Sequence, residues 1–460
     1  LNYTGTNTYE ITWNTYGGVP NATLKYSTTG TAAANHTNII TTVAAVNQSY
    51  NWTIPDRIGS NLSIMVQDAD NAGVNDTSNN PFAIKGNITV NYPNATSGNW
   101  TVNWPQYVNW TPTGNYSANV LIEYHNGTGW NTLGTQAPGL NGALQSFTLP
   151  GNVPNDITTT AKVKVSTNES NASINVNNES SIFRIKGTVN LTAPAGGVTL
   201  YVNDTSKYIN WTSNGTVSPV DIIYSVNSGT TWYDIVRNYT ATAGDNSYNG
   251  SAWNPIPDRK NESTCLVKII HNKTGMTDIN NTTAAFSILP VINVTKPTAG
   301  QNLFAGSNNA TVNWTYTGTK ITNVDILLFN NTSQWQIVTT NISVGAAGNG
   351  SYTWPVFPEF KNTNRQIRVR DNVTQNVTND SALFNVVGSL IITQPNASVS
   401  WWRVGDTRSI DWTQSALGNV VHIQYANTTG GSWYNVTDNL QNASNGTYSW
   451  NIPDTLAVSN

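Results

Sequence analysis

The reactive pattern that recurs most in this chain is an amide followed two residues later by a hydroxyl. Asn-X-Ser/Thr, with X other than proline, occurs about 40 times, more than about twice what the Asn, Ser and Thr content alone implies. Each tripeptide is a potential acceptor for an N-linked glycan, a bulky and solubilising group that belongs on a surface. Candidates span the chain: Asn21, Asn51, Asn109, Asn126, Asn171, Asn210, Asn238, Asn281, Asn313, Asn341, Asn376, Asn427 and Asn442. In the phrase Asn-Trp-Thr at Asn51, Asn109, Asn210 and Asn313, strand alternation turns the tryptophan to one face and the Asn and Thr to the other. A sugar there would leave the core undisturbed. Neighbours such as Asn280 and Asn281, or Asn330 and Asn331, would crowd each other, so not every acceptor can be used.

Other chemistry is sparse. His36, His125, His271 and His422 stand alone, with no HxxxH or HExxH spacing. Carboxylates such as Asp56 and Asp68 lack a context for acid/base work, and GxSxG, P-loop and GxGxxG signatures are missing. The segment QDADNAGVND places Asp68, Asp70, Asn71 and Asp76 around Gly73, oxygen ligands of the kind calcium takes. It departs from an EF-hand loop and lacks the terminal glutamate; the matching RDNVTQNVTND offers only Asp371 and Asp380, so a solvated hairpin is expected. Cys265, the single cysteine, alternates with apolar residues in STCLVKII and reads as a buried small hydrophobe. No residue receives a catalytic or metal-binding role, no cofactor is expected, and the chain reads as a non-enzyme.

The elements that carry the acceptors repeat. A tryptophan in a strand-like phrase returns at intervals of roughly 100 residues, the size of a small domain: YEITWNTYG around Trp13, QYVNWTPTG around Trp110, KYINWTSNG around Trp211, ATVNWTYTG around Trp314 and RSIDWTQSA around Trp412. A second phrase ends in an aromatic and a proline: YNWTIPD, SFTLP, SAWNPIPD, YTWPVFPE and YSWNIPD. A third closes the repeat as FAIKG, FRIKG, FSILP and FNVVG, followed by a short alternating run and a proline turn. These landmarks predict modules at 1–86, 87–186, 187–289, 290–387 and 388–460. The first lacks an opening strand and the last its closing strands. The expectation is therefore a window on a longer chain, or subunits that complete each other's sheets.

Within the third module the pattern predicts strands at 188–192, 199–202, 207–212, 220–226, 231–236, 247–253, 265–270 and 283–288, each bounded by turn formers. Ile209 and Trp211 share one face; Val220, Ile222, Tyr224 and Val226 share a face packing opposite that tryptophan. No stretch holds a helical period. The fold class is all-β, a tandem array of immunoglobulin-like β-sandwich domains.

Composition agrees with an exterior role. Charged residues make up 10 % of the chain, against about 25 % in ordinary soluble domains, while 38 % apolar residues suffice for cores. A net charge of −3 without a basic stripe argues against nucleic acid, and no apolar run reaches the roughly 20 residues of a membrane span.

The motifs are similar to those of tandem immunoglobulin-like or fibronectin-III-like modules of microbial cell-surface and extracellular glycoproteins. The YSxNSGTTW-type hairpin and the WxIPD phrase also resemble Ig-like modules of Ser/Thr-rich cell-wall glycoproteins. SVNSGTTW resembles the Asp-box hairpin of sialidase propellers, with Asn227 in place of the aspartate, and reads as a turn. The resemblance implies a scaffold. The expected function is a structural subunit of a heavily N-glycosylated extracellular filament, surface layer or stalk at the cell surface. Its partners are covalent glycans and further modules, through self-association or continuation of a polymer. The alternatives are a carbohydrate-binding adhesin array, with Trp401, Trp402 or Trp433 stacking on sugars, and the non-catalytic stalk of a larger surface enzyme.

Overall fold

The computed structural model describes residues 1–460 except 31–35, 259–260, 308–309, 330–333, 346–347, 357, 397, 399–400, 427 and 455–460. Among the described residues the regular structure is strands and short 3-10 turns. Five hydrophobic clusters follow one another along the chain, around Trp52, Trp110, Trp211, Trp314 and Trp412. The chain is a tandem array of immunoglobulin-like sandwiches.

The third unit shows the plan. One sheet is Thr188–Ala193, Ile209–Asn214 and Gly244–Tyr248, with Ile209–Asn214 central and both pairings antiparallel. The facing sheet runs Thr199–Tyr201, Phe286–Leu289, Asn261–His271, Val220–Ser225 and Tyr233–Tyr239, its first pairing parallel. Asn280–Thr282 adds to the long strand Asn261–His271. The β-branched and aromatic residues of these strands alternate in and out, and the inward set fills the space between sheets. Ile209 and Trp211 are buried with Val220, Ile222 and Tyr224 in one cluster, against which Val226 packs. Cys265 is buried there too.

Three expectations need correction. The strand expected at 283–288 is two strands, Asn280–Thr282 and Phe286–Leu289, on either side of a short loop. The strand expected at 247–253 is Gly244–Tyr248, and Trp253 enters the core from the turn that follows it. The phrase SFTLP matches only the strand part of the second phrase, with Gln145–Thr148 paired to Tyr107–Thr113 as Ser49–Thr53 is paired to Thr8–Thr12; the Ile-Pro-Asp part lies further on. Val153 and Asn155 take the places of Ile54 and Asp56, since the backbone N–H groups of Val153 and Ile54 bond Trp104 and Asn7 in the same way.

The repeated aromatics meet in pairs. Trp52 meets Phe82 at 6.3 Å, Trp253 meets Phe286 at 6.3 Å and Trp354 meets Phe384 at 6.0 Å, all edge to face, a geometry that suits the ring quadrupole. The second unit has no tryptophan in that phrase. Trp100, from the strand Trp100–Thr101, takes its place against Phe183 at 4.9 Å.

Candidate functional site

The sequons fall into three structural settings. Asn109, Asn210 and Asn313 lie on the central strands Tyr107–Thr113, Ile209–Asn214 and Ala310–Thr317, half-buried on the face opposite their tryptophans. Asn210 Oδ1 accepts from the Ser247 hydroxyl at 2.8 Å and Asn313 Oδ1 from Ser351 at 2.9 Å, each across a strand pairing. Asn109 Oδ1 is buried and accepts no hydrogen bond from any described residue. Asn51 differs: it is exposed on Ser49–Thr53, the first sheet's other strand, opposite Glu10.

Turn positions form the second setting. Asn126 Oδ1 accepts from the N–H groups of Thr128 and Gly129, both at 3.0 Å. Asn442 Oδ1 accepts from Ser444 N–H at 3.0 Å, and Asn171 Oδ1 from Ser173 N–H at 2.9 Å. Asn238 and Asn341 lie instead within the strands Tyr233–Tyr239 and Trp335–Ser343, at left-handed φ of 54° and 59°, where their N–H groups donate to Asp221 and Asp325. Asn21 is half-buried at the head of Asn21–Ser27, and Asn376 is exposed in a loop. Asn427 lies outside the described residues.

The third setting is a lock that sequence reading missed. Asn178, Asn281 and Asn379 occupy one repeated position, opposite Val165, Ile269 and Val369. Their Oδ1 atoms accept the N–H groups of Val90, Leu191 and Val294 at 2.9, 2.9 and 2.8 Å, tying the opening strand of each unit to the opposite sheet.

Successive units meet through a second recurrent contact. Asp56 accepts the N–H of Asn115 at 2.8 Å, Asn155 the N–H of Thr216 at 2.8 Å and Asp258 the N–H of Thr319 at 2.6 Å. The residue before each donor is a glycine, Gly114, Gly215 or Gly318, at φ of 98°, 83° or 91°, the left-handed region open to glycine. Ile157 packs against the clusters of both the second and third units. Asp278 of the third unit also binds Arg184 and Lys186 of the second, the latter at 2.6 Å. The Arg184 hydrogen bond leads the causes that hold its carboxyl down at about 2.

Two carboxylates of the second sheet are held in ion pairs. Asp221 pairs with Arg237 and Asp325 with Arg370. Burial works against ionisation of each carboxylate, but the hydrogen bonds from Asn238, Arg237 and Asn272, and from Asn372, Asn341 and Arg370, outweigh it. Lys164 stands 4.2 Å over Trp130 and Arg368 4.0 Å over Trp335.

Burial pushes the Cys265 thiol up to about 11, and burial lowers His271. In the Asp68 loop, Asp68 and Asn71 accept the N–H groups of Asp70 and Gly73, hairpin contacts. Among the described residues, no group of three or more His, Cys, Asp or Glu is placed to hold a metal ion, and no helix is long and apolar enough to cross a membrane. Trp401 and Trp433 are exposed, whereas Trp402 packs on Trp450 at 6.2 Å.

Residues 296–386 match the Kre9/KNH-like N-terminal Ig-like domain family. No curated protein matches the chain. Among solved structures, the chain is similar to immunoglobulin domains 1–5 of Sidekick-1, with 10 % identity, 83 % of this chain and 77 % of that one covered, and a TM-score of 0.24. It is also similar to three consecutive titin domains, with 17 % identity, 65 % and 96 % covered, and a TM-score of 0.27. For the ICAM-5 D1–D4 ectodomain fragment the values are 11 %, 71 % and 83 %, and 0.26.

Proposed function

We propose that the chain is a structural array of an N-glycosylated extracellular filament, surface layer or stalk, with five units bounded near Gly86, Gly187, Pro290 and Gly388. The observation that carries this reading is the repeated junction, in which Asp56, Asn155 and Asp258 each accept a backbone N–H of the next unit. Units so joined interact with their nearest neighbours and add up to a semi-rigid rod. Low charge and abundant sequons support a glycan coat as the solubilising layer. Negative-stain imaging of protein from its native source tests the reading: filaments or sheets are expected, and isolated particles no longer than one chain would overturn it.

An adhesin reading has one specific observation in its favour, the exposure of Trp401 and Trp433 at 62 % and 66 %. Apolar rings presented to water suit stacking on sugars. A glycan-array signal from the chain that disappears in the Trp401→Ala/Trp433→Ala double variant would move the assignment to carbohydrate binding.

A further inference from the structure

We propose that the fold sorts the sequons, so that glycans occupy the outer face of the first sheet while the sequons at unit junctions are structural amides that stay unmodified. This rests on the reading of the chain as a glycoprotein and adds where the sugars are. N-glycosylation replaces a hydrogen of Asn Nδ2 with a bulky group, so an acceptor needs Nδ2 facing solvent; Oδ1 remains able to accept a hydrogen bond.

Asn210 and Asn313 meet this condition. Ser247 and Ser351 hold the two Oδ1 atoms toward the neighbouring strand, and neither Nδ2 donates to any described residue. Asn109 holds the equivalent strand position, opposite Ser146, with Oδ1 buried and Nδ2 donating to no described residue. On the adjoining opening strands, Asn190 and Asn293 also begin sequons and are exposed on the same outer face, Asn190 opposite Thr212 and Asn293 opposite Thr315.

Four sequons at or near junctions have the opposite arrangement. Asn115 Nδ2 donates to Asp56 at 2.7 Å. Asn214 Nδ2 donates to the Val102 carbonyl at 2.6 Å while its Oδ1 accepts from Asn103 at 2.8 Å, so both ends of the amide are held across the boundary. Asn171 Nδ2 donates to Ser60 of the preceding unit at 2.7 Å. Asn272 Nδ2 donates to both Asp221 and Asn238, at 3.1 and 2.8 Å. A glycosylated Nδ2 keeps one N–H, so Asn272, which uses both, would lose part of the Asp221 network, and at Asn115, Asn171 and Asn214 the sugar would have to be forced in beside a contact between units.

In the second sheet the strands Val120–His125, Val220–Ser225 and Asn323–Phe329 contain no sequon, and this sheet carries the Lys164–Glu123, Arg237–Asp221 and Arg370–Asp325 pairs. Other strands of this sheet do carry sequons, at Asn178, Asn238, Asn281, Asn341 and Asn379, so the sorting separates the outer face of the first sheet from the junctions and not one sheet from the other.

Glycopeptide mapping of protein purified from its native source tests the assignment. Sugars are expected at Asn109, Asn190, Asn210, Asn293 and Asn313, with Asn115, Asn171, Asn214 and Asn272 bare. Sugars at any of the last four, or only on loops, would overturn the sorting while leaving a glycoprotein. A chain bare at every sequon would overturn both. In the unglycosylated full-length chain, Asn214→Gln should raise hydrogen exchange around Val102 by about tenfold or more, whereas Asn210→Gln should leave it unchanged. Equal behaviour of the two variants would also overturn the structural role given to Asn214.

Discussion

Asp258 accepts the backbone N–H of Thr319 at 2.6 Å, joining the last residue of one unit's Ile-Pro-Asp phrase to the turn that begins the next unit's loop. Asp56 with Asn115 and Asn155 with Thr216 repeat the relationship. Three junctions thus share one polar contact at a fixed point of the repeat.

Removing that carboxylate should loosen a junction without unfolding its neighbours. For Asp258→Ala the expected loss is about 1–2 kcal/mol of local stability, the scale of one hydrogen bond to a partly exposed charged group. Hydrogen exchange should show faster exchange at Thr319, with protection of Val312 and Trp314 retained.

Trp211 fills the centre of the third cluster, and Trp211→Ala should cost about 3–5 kcal/mol. Calorimetry of the full chain should then show one unit melting early and the others unchanged, as expected when stability is a sum over units. Trp211→Phe should cost less, because Trp211 Nε1 is buried and bonds no described residue.

Acid should act on the junction between the second and third units. The Asp278 carboxyl lies near 2 in the folded chain, below its ordinary value of about 3.9. Its contribution is therefore fully present above about pH 4 and is lost as pH falls through about 2. Small-angle scattering between about pH 5 and pH 2 should report greater bending at that boundary. Asp278→Asn should show it at neutral pH.

Cys265 should be inert in the folded state. Its thiol is buried and pushed up to about 11, so little thiolate forms near pH 8 and reagents cannot reach it. An aromatic disulfide should label it only after denaturant is added; rapid labelling of native protein would contradict the burial.

Alternation made much of the fold legible. In KYINWT and VDIIYSV the period-2 pattern places Trp211, Ile222 and Tyr224 in the core where the structure has them, although Asp221, Ile223 and Ser225 on the other face of the second strand are buried as well, which alternation does not foresee. Trp253 was misplaced because a large aromatic can reach a core from a turn, and nothing in SAWNP marks where the strand stops. Trp100 was overlooked because it compensates for the missing tryptophan from a different strand. Which face carries the acceptors could be read from Asn-Trp-Thr. Which way each amide turns could not, since that depends on Ser247, Ser351 or Asp56, residues far away in sequence. The junction had left one trace, the equivalence of Asp56, Asn155 and Asp258, obscured by taking SFTLP as the second unit's phrase.

In the second, third and fourth units an early strand runs parallel to the last one: Trp100–Thr101 beside Phe183–Lys186, Thr199–Tyr201 beside Phe286–Leu289 and Asn302–Phe304 beside Phe384–Val387. Behind the opening strand of the unit, Asn87–Tyr92, Thr188–Ala193 or Val291–Lys296, the chain enters the first of these at its head, and it leaves from the tail of the second. Tension along the array therefore draws the two strands past each other along their own axes, loading their hydrogen bonds together instead of peeling them open in turn. Each of these three units thus holds a shear clamp behind its opening strand.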